Sequence, residues 1–105
     1  MIGISRVVVS GNSMSPAYND GDWLIVRKLS GVKHRLRIGG IYLLQDPARP
    51  GVKLLKRVKE SRMEHSVIRY WVEGDNPNSS DSRDWGWIDG EQFLAKVILR
   101  YKKGN

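Results

Sequence analysis

Val52-Lys53-Leu54-Leu55-Lys56-Arg57-Val58 is the stretch that decides how this chain is read. Side chains alternate faces along a strand, so Val52, Leu54, Lys56 and Val58 share one side and Lys53, Leu55 and Arg57 the other. Lys56 is then the one charge on a face otherwise made of Val and Leu. Desolvation there favours the neutral amine and lowers its pKa. A neutral lysine amine is a competent general base. The plainer alternative is a strand-edge lysine whose stem lies on the apolar face while its ammonium reaches water.

Five more runs of branched, leucine and aromatic residues flank this one, separated by Gly, Pro, Asp and Asn: 6–9, 22–27, 40–45, 66–73 and 92–101. No window holds a 3.6-residue period longer than about two turns, so the chain is mostly β. Asp46-Pro47 through Pro50-Gly51 reads as the turn of a hairpin joining 40–45 to 52–59. The last run alternates, with Phe93, Ala95, Val97, Leu99 and Tyr101 on one face, and Lys102 to Asn105 are expected to fray. A chain of 105 residues with no repeat or linker is one domain over 1–105, its core about 4–101.

The chain has no cysteine. That excludes disulfides, cysteine-ligated zinc, iron–sulfur clusters and a thiol nucleophile. His34 and His65 show no metal-type spacing and read as surface residues, so no metal and no cofactor is expected. A net charge of +7 permits nucleic acid, an anionic membrane surface or an acidic peptide as partner without choosing among them. The basic stretch 27–37 reads as a solvated loop, with a phosphate or acidic-peptide contact as the alternative. No apolar run is long enough for a signal peptide or a membrane span, so a soluble, cytoplasmic protein without an anchor is expected.

Two further stretches carry chemistry. In Val9-Ser10-Gly11-Asn12-Ser13-Met14-Ser15-Pro16 a strand breaks at Gly11 and delivers Ser13 to a turn. The hydroxyl is poised there with its backbone N–H beside it, and nucleophilic catalysis uses both. An ordinary turn is the alternative, because Ser, Gly, Asn and Pro make turns. Asn19-Asp20-Gly21-Asp22 is a second turn, feeding the next strand. Between Gly74 and Arg83 lies a loop dense in turn formers, with hydroxyls beside Asp81 and Arg83. A bidentate Asp81–Arg83 pair would lock it, leaving a serine hydroxyl to point at the Lys56 amine. Trp85 and Trp87 read as packing residues.

Together three blocks resemble the signal peptidase I family of serine endopeptidases: Ser10 to Pro16 with Asp20-Gly21-Asp22; Leu55-Lys56-Arg57-Val58; and Gly74-Asp75-Asn76 with Ser79-Ser80-Asp81-Ser82-Arg83 and Trp85-Gly86. The resemblance implies coiled antiparallel sheets forming a partial barrel, as in signal peptidases and LexA-type self-cleaving regulators. It implies Ser13 as nucleophile, with its N–H in the oxyanion hole, and Lys56 as general base. Ser79 would orient the amine, Asp81 and Arg83 would hold the loop, and Met14 and Pro16 would touch substrate. The third block is one residue shorter than the family pattern, which leaves Ser79 and Ser80 both open as the orienting hydroxyl. Gly11 stands where some members carry a second oxyanion donor, and Lys56 is followed by Lys59-Glu60-Ser61 instead of a long inserted domain. The implied substrate is a precursor protein or peptide bound extended beside a strand edge. Small size and the lack of an anchor resemble the soluble members that trim an N-terminal extension from nickel-type superoxide dismutase. The competing readings are a signal peptidase-like protease of other specificity, a LexA-type regulator, and a basic β-barrel that binds nucleic acid. On the protease reading no nucleic acid is expected, and the oligomeric state is not set.

Overall fold

The structure is a computed structural model that describes residues 3–29 and 35–104. The apolar runs become strands β1 (Ile4–Val8), β2 (Trp23–Lys28), β3 (Ile41–Gln45), β4 (Lys53–Glu64), β5 (Val67–Glu73), β6 (Ile88–Asp89) and β7 (Phe93–Lys102). A short helix α1 (Ser82–Trp85) and a 3-10 turn (Gly90–Gln92) lie between β5 and β7. All neighbours are antiparallel, in the order β1-β2-β7-β3-β4-β5-β6. The mostly-β expectation holds. The strands make one seven-stranded sheet that does not close into a barrel, with β1 and β6 as its edges.

The expected hairpin between β3 and β4 forms, and its register sets Tyr42 opposite Lys56. β4 runs on to Glu64, beyond the apolar run, because β5 pairs with it as far as Glu64↔Val67. Backbone ladder bonds there sustain a strand that hydrophobic patterning does not announce. The turn places His65 and Ser66 at positive φ, and His65 is exposed, as expected. β6 and α1 had no apolar signature and were not foreseen. α1 is built instead by a capping box: Asp81 accepts from the Arg83 N–H, and Asp84 reaches back to the Asp81 N–H.

Two cores lie on opposite faces of the sheet. Tyr42, Leu44, Val58, Tyr70, Val72, Ile88 and Phe93 form one, with Leu36. Val9, Met14, Leu24, Val26, Ile41, Ala95 and Val97 form the other. In β4 this leaves Lys56 on the face of Val58, as alternation requires, with Leu55 against the second core. The single face expected for β7 is corrected. Register shifts against β2 and β3 break its alternation, so Phe93 joins one core and Ala95 and Val97 the other, while Leu99 and Tyr101 are exposed. The expected fraying is corrected too: Lys102 ends β7, and the Gly104 N–H donates to buried Asp22 (2.8 Å). Lys33 and His34 of the basic stretch, and Asn105, lie outside the described residues.

Candidate active site

The Ser13 turn is held from three sides. Asp20 accepts from the Gly11 N–H (2.8 Å), where glycine's positive φ of 87° makes the bend. Asp22 accepts from the Asn19 N–H (2.9 Å) and from Arg100, whose guanidinium also donates to the Ala17 carbonyl (3.0 Å). These hydrogen bonds hold the Asp22 carboxyl below its ordinary value. Met14 anchors the turn from beneath. It is 1% exposed and packs in the second core, so this expected substrate contact faces inward, while Pro16 is exposed beside it. Ser13 itself is half-buried, and among the described residues its N–H has no hydrogen-bond acceptor.

Lys56 is buried at 1% exposure. Desolvation pulls its pKa below the usual lysine value. The carboxylates of Asp81, Asp46 and Asp84 oppose this from a distance, and the Arg83 cation adds to it. Among the described residues no carboxylate lies within ion-pair distance of it. Next in the strand, Arg57 forks onto Asp75 (2.9 and 2.8 Å) and donates to the Gly39 carbonyl (2.8 Å), which pins the start of the third block to β4.

That block forms a closed network. Arg83 grips Asp81 with two donors (2.9 and 2.5 Å), and Asp81 also accepts from the Gly74 N–H (2.8 Å) and the Ser79 hydroxyl (3.0 Å). These bonds outweigh burial and lower the Asp81 pKa to about 2. Ser79 lies inside the network and Ser80 is exposed outside it. The Ser82 hydroxyl accepts from the Val72 N–H (2.9 Å), so β5 is tied to α1.

The first and third blocks meet at Gly74 and Asn76. The Asn76 N–H donates to the Ser13 carbonyl and its side-chain amide to the Asn12 carbonyl, both at 3.0 Å. A Cβ on Gly74 would lie 2.5 Å from the Ser13 carbonyl oxygen and 2.1 Å from the Ser79 hydroxyl oxygen. The second block is the adjoining strand: Arg57 pairs with Glu73, so Lys56 stands beside the Gly74 end of β5. Sequence reasoning gave Gly74 and Asn76 no role. Their signal was the Gly-Asp-Asn triplet at the end of an apolar run.

No group of His, Asp or Glu among the described residues is arranged to hold a metal ion. No helix among them is long and apolar enough to cross a membrane. The family model described as signal peptidase, peptidase S26, matches residues 1–59, which contain Ser13 and Lys56. No curated protein matches the chain.

Proposed function

The chain belongs to the signal peptidase S26 family, and from that premise we propose that it is a serine endopeptidase working through a Ser13–Lys56 dyad. The observation that carries the reading is the junction at Gly74, where the Ser13 turn and the Ser79 loop touch beside a buried lysine.

Neutral Lys56 removes the proton from the Ser13 hydroxyl as its oxygen attacks the scissile carbonyl. The Ser13 N–H stabilises the oxyanion, a contribution of roughly 3 kcal/mol for one donor. Protonated Lys56 then gives its proton to the leaving amine. In the second half the same amine deprotonates the water that hydrolyses the acyl-enzyme. This is triad logic with lysine as base and no histidine. Ser79 is the orienting hydroxyl of the proposal. Its single proton is engaged by Asp81 or the Asn76 carbonyl and Arg83 donates to its oxygen (3.4 Å), which leaves one lone pair to accept from the Lys56 ammonium. Asp81 and Arg83 hold that orientation.

The substrate proposed is a precursor with an N-terminal extension, and more narrowly a nickel-type superoxide dismutase precursor. β4 passes into β5 through a two-residue turn at His65 and Ser66, and this compact hairpin in place of an inserted domain supports the likeness to the soluble trimming proteases. Mass spectrometry of that precursor after incubation with wild type, Ser13→Ala and Lys56→Ala tests both levels. One defined cut by the wild type alone is expected. A cut only in secretory leaders would remove the superoxide dismutase assignment, and a cut by Lys56→Ala at the wild-type rate would overturn the dyad.

A further inference from the structure

The basic stretch has no part in the proposed chemistry, and Arg35 and Arg37 are its described cations outside β2. A solvated loop needs no anchor in the core, and this segment has several. The Tyr70 hydroxyl accepts from the Leu36 N–H (3.1 Å) and the Tyr42 hydroxyl from the Arg37 N–H (2.9 Å). Both tyrosines are 2% exposed, in the core of Val58 and Phe93. Leu36 turns into the same core, and Arg35 and Arg37 on either side of it are exposed. The turn that follows is bound to β4: the Gly39 N–H donates to the Val58 carbonyl (2.7 Å) and the Val58 N–H to the Gly40 carbonyl (2.9 Å). The two guanidiniums therefore project from a backbone with little freedom.

That backbone reaches the Ser13 and Lys56 region by two routes. Tyr42 is the cross-strand partner of Lys56, so the ring whose hydroxyl holds Arg37 stands beside the lysine on one face. Arg57 donates to the Gly39 carbonyl and forks onto Asp75, and the next residue, Asn76, donates to the Ser13 carbonyl (3.0 Å). Other arginines around the site are already spent: Arg57 on Asp75, Arg83 on Asp81 and Arg100 on Asp22. Among the described residues Arg35 and Arg37 are in no ion pair.

We propose that Arg35 and Arg37 select substrates carrying an acidic side chain close to the scissile bond. The inference rests on the peptidase reading and names the substrate class that the site prefers. A tyrosine ring and an arginine beyond it reach roughly 12 Å, the length of about four extended residues, which sets the range over which a carboxylate is read. Guanidinium and carboxylate match as paired donors and acceptors, and a backbone fixed beforehand loses little freedom on binding. A phosphate group is the weaker fit. Anion nests are built from free backbone N–H groups, and those of Leu36 and Arg37 are already given to the tyrosines.

Peptides spanning the junction of extension and mature chain in the precursor test this. Their acidic residues are replaced by amides, and one Asp, or one Asn, is placed at each position within about four residues of the cut. At the best position the wild type is expected to cut the Asp peptide with about fivefold higher kcat/KM than its Asn twin, the size of one partly exposed ion pair, and with a smaller ratio as salt rises. In Arg35→Gln/Arg37→Gln the ratio should fall to about one, and in Arg35→Glu/Arg37→Glu a Lys peptide should overtake the Asp peptide. Lys53→Gln/Lys102→Gln removes the same charge from exposed positions elsewhere on the sheet and should keep the wild-type ratio. Binding of the same peptides to Ser13→Ala reads recognition without cleavage. Asp-over-Asn binding there, with no peptide cut by the wild type, would remove the peptidase reading and keep Arg35 and Arg37 as an acidic-peptide contact. Equal handling of Asp and Asn at every position, or equal losses in the Arg35/Arg37 and Lys53/Lys102 variants, would overturn the inference. So would single-stranded DNA binding that Arg35→Gln/Arg37→Gln abolishes in a protein with no Asp preference.

Discussion

Gly74→Ala is the sharpest perturbation of the site, because it adds one methyl group where two loops converge. The new Cβ would lie 2.5 Å from the Ser13 carbonyl oxygen, 2.1 Å from the Ser79 hydroxyl oxygen and 2.8 Å from the Ser79 Cβ. The hydroxyl can rotate away, but the other two atoms cannot move without their backbone. Restoring ordinary contact of about 3.4 Å pushes the Ser13 carbonyl back by roughly 0.9 Å, a misplacement on the scale that costs about 100-fold in rate. Overpacking of this kind costs about 1–3 kcal/mol of stability, which the domain can absorb below its lowered Tm. The assay is kcat and KM on a peptide that the wild type cuts, at a temperature where circular dichroism shows both proteins folded. A drop in kcat of about 100-fold with a smaller change in KM is expected. A folded Gly74→Ala protein with wild-type kcat would refute the convergence of the Ser13 and Ser79 loops as the basis of catalysis.

Four other outcomes follow from the same geometry. The rate of cleavage should rise with pH on a limb set by Lys56, lying below the ordinary lysine pKa because burial disfavours the ammonium; a pH–rate profile checks this, and Lys56→Arg, which cannot deprotonate, should be inactive throughout. Lys56→Met should raise Tm at neutral pH. Burial holds the native-state pKa below the unfolded value of 10.5, so the unfolded state binds more protons, and the advantage of the variant should shrink as pH climbs towards 10.5. Asp81→Asn should cost about 2 kcal/mol in urea unfolding at neutral pH, limited by the partial exposure of Arg83; the wild-type contribution is present above 3.8 and lost as pH falls through about 2, so the two proteins should converge there. Tyr70→Phe should cost about 1–3 kcal/mol in the same measurement, since it strips the acceptor from the buried Leu36 N–H.

Local pattern carried much of this protein. Period-two alternation made Lys56 the charged member of an apolar face, and the structure buries it there, because strand geometry sends every second side chain to the same side whatever the neighbours are. The Asp81–Arg83 pair was legible for a similar reason: two residues apart, they meet within one turn of chain. The Ser13 turn was legible from Gly11 and the Asp20-Gly21 bend.

What lay beyond the sequence depended on contacts between distant segments. Gly74 reads as a turn glycine, and only the fold shows that it is bare because a carbonyl from Ser13 and a hydroxyl from Ser79 occupy the place of its side chain. Met14, beside the serine, looked available to substrate, yet it fills a core completed by β2, β3 and β7. β7 alternates in sequence but changes faces in space, since its bulges answer the strands on either side. Which of Ser79 and Ser80 meets Asp81 is decided the same way: the carboxylate, itself held by Gly74 and Arg83, accepts from the Ser79 hydroxyl alone. Alternation and turn chemistry are properties of neighbouring residues, so sequence determines them. Convergence of three segments on one glycine is a property of their packing, and tertiary structure alone decides it.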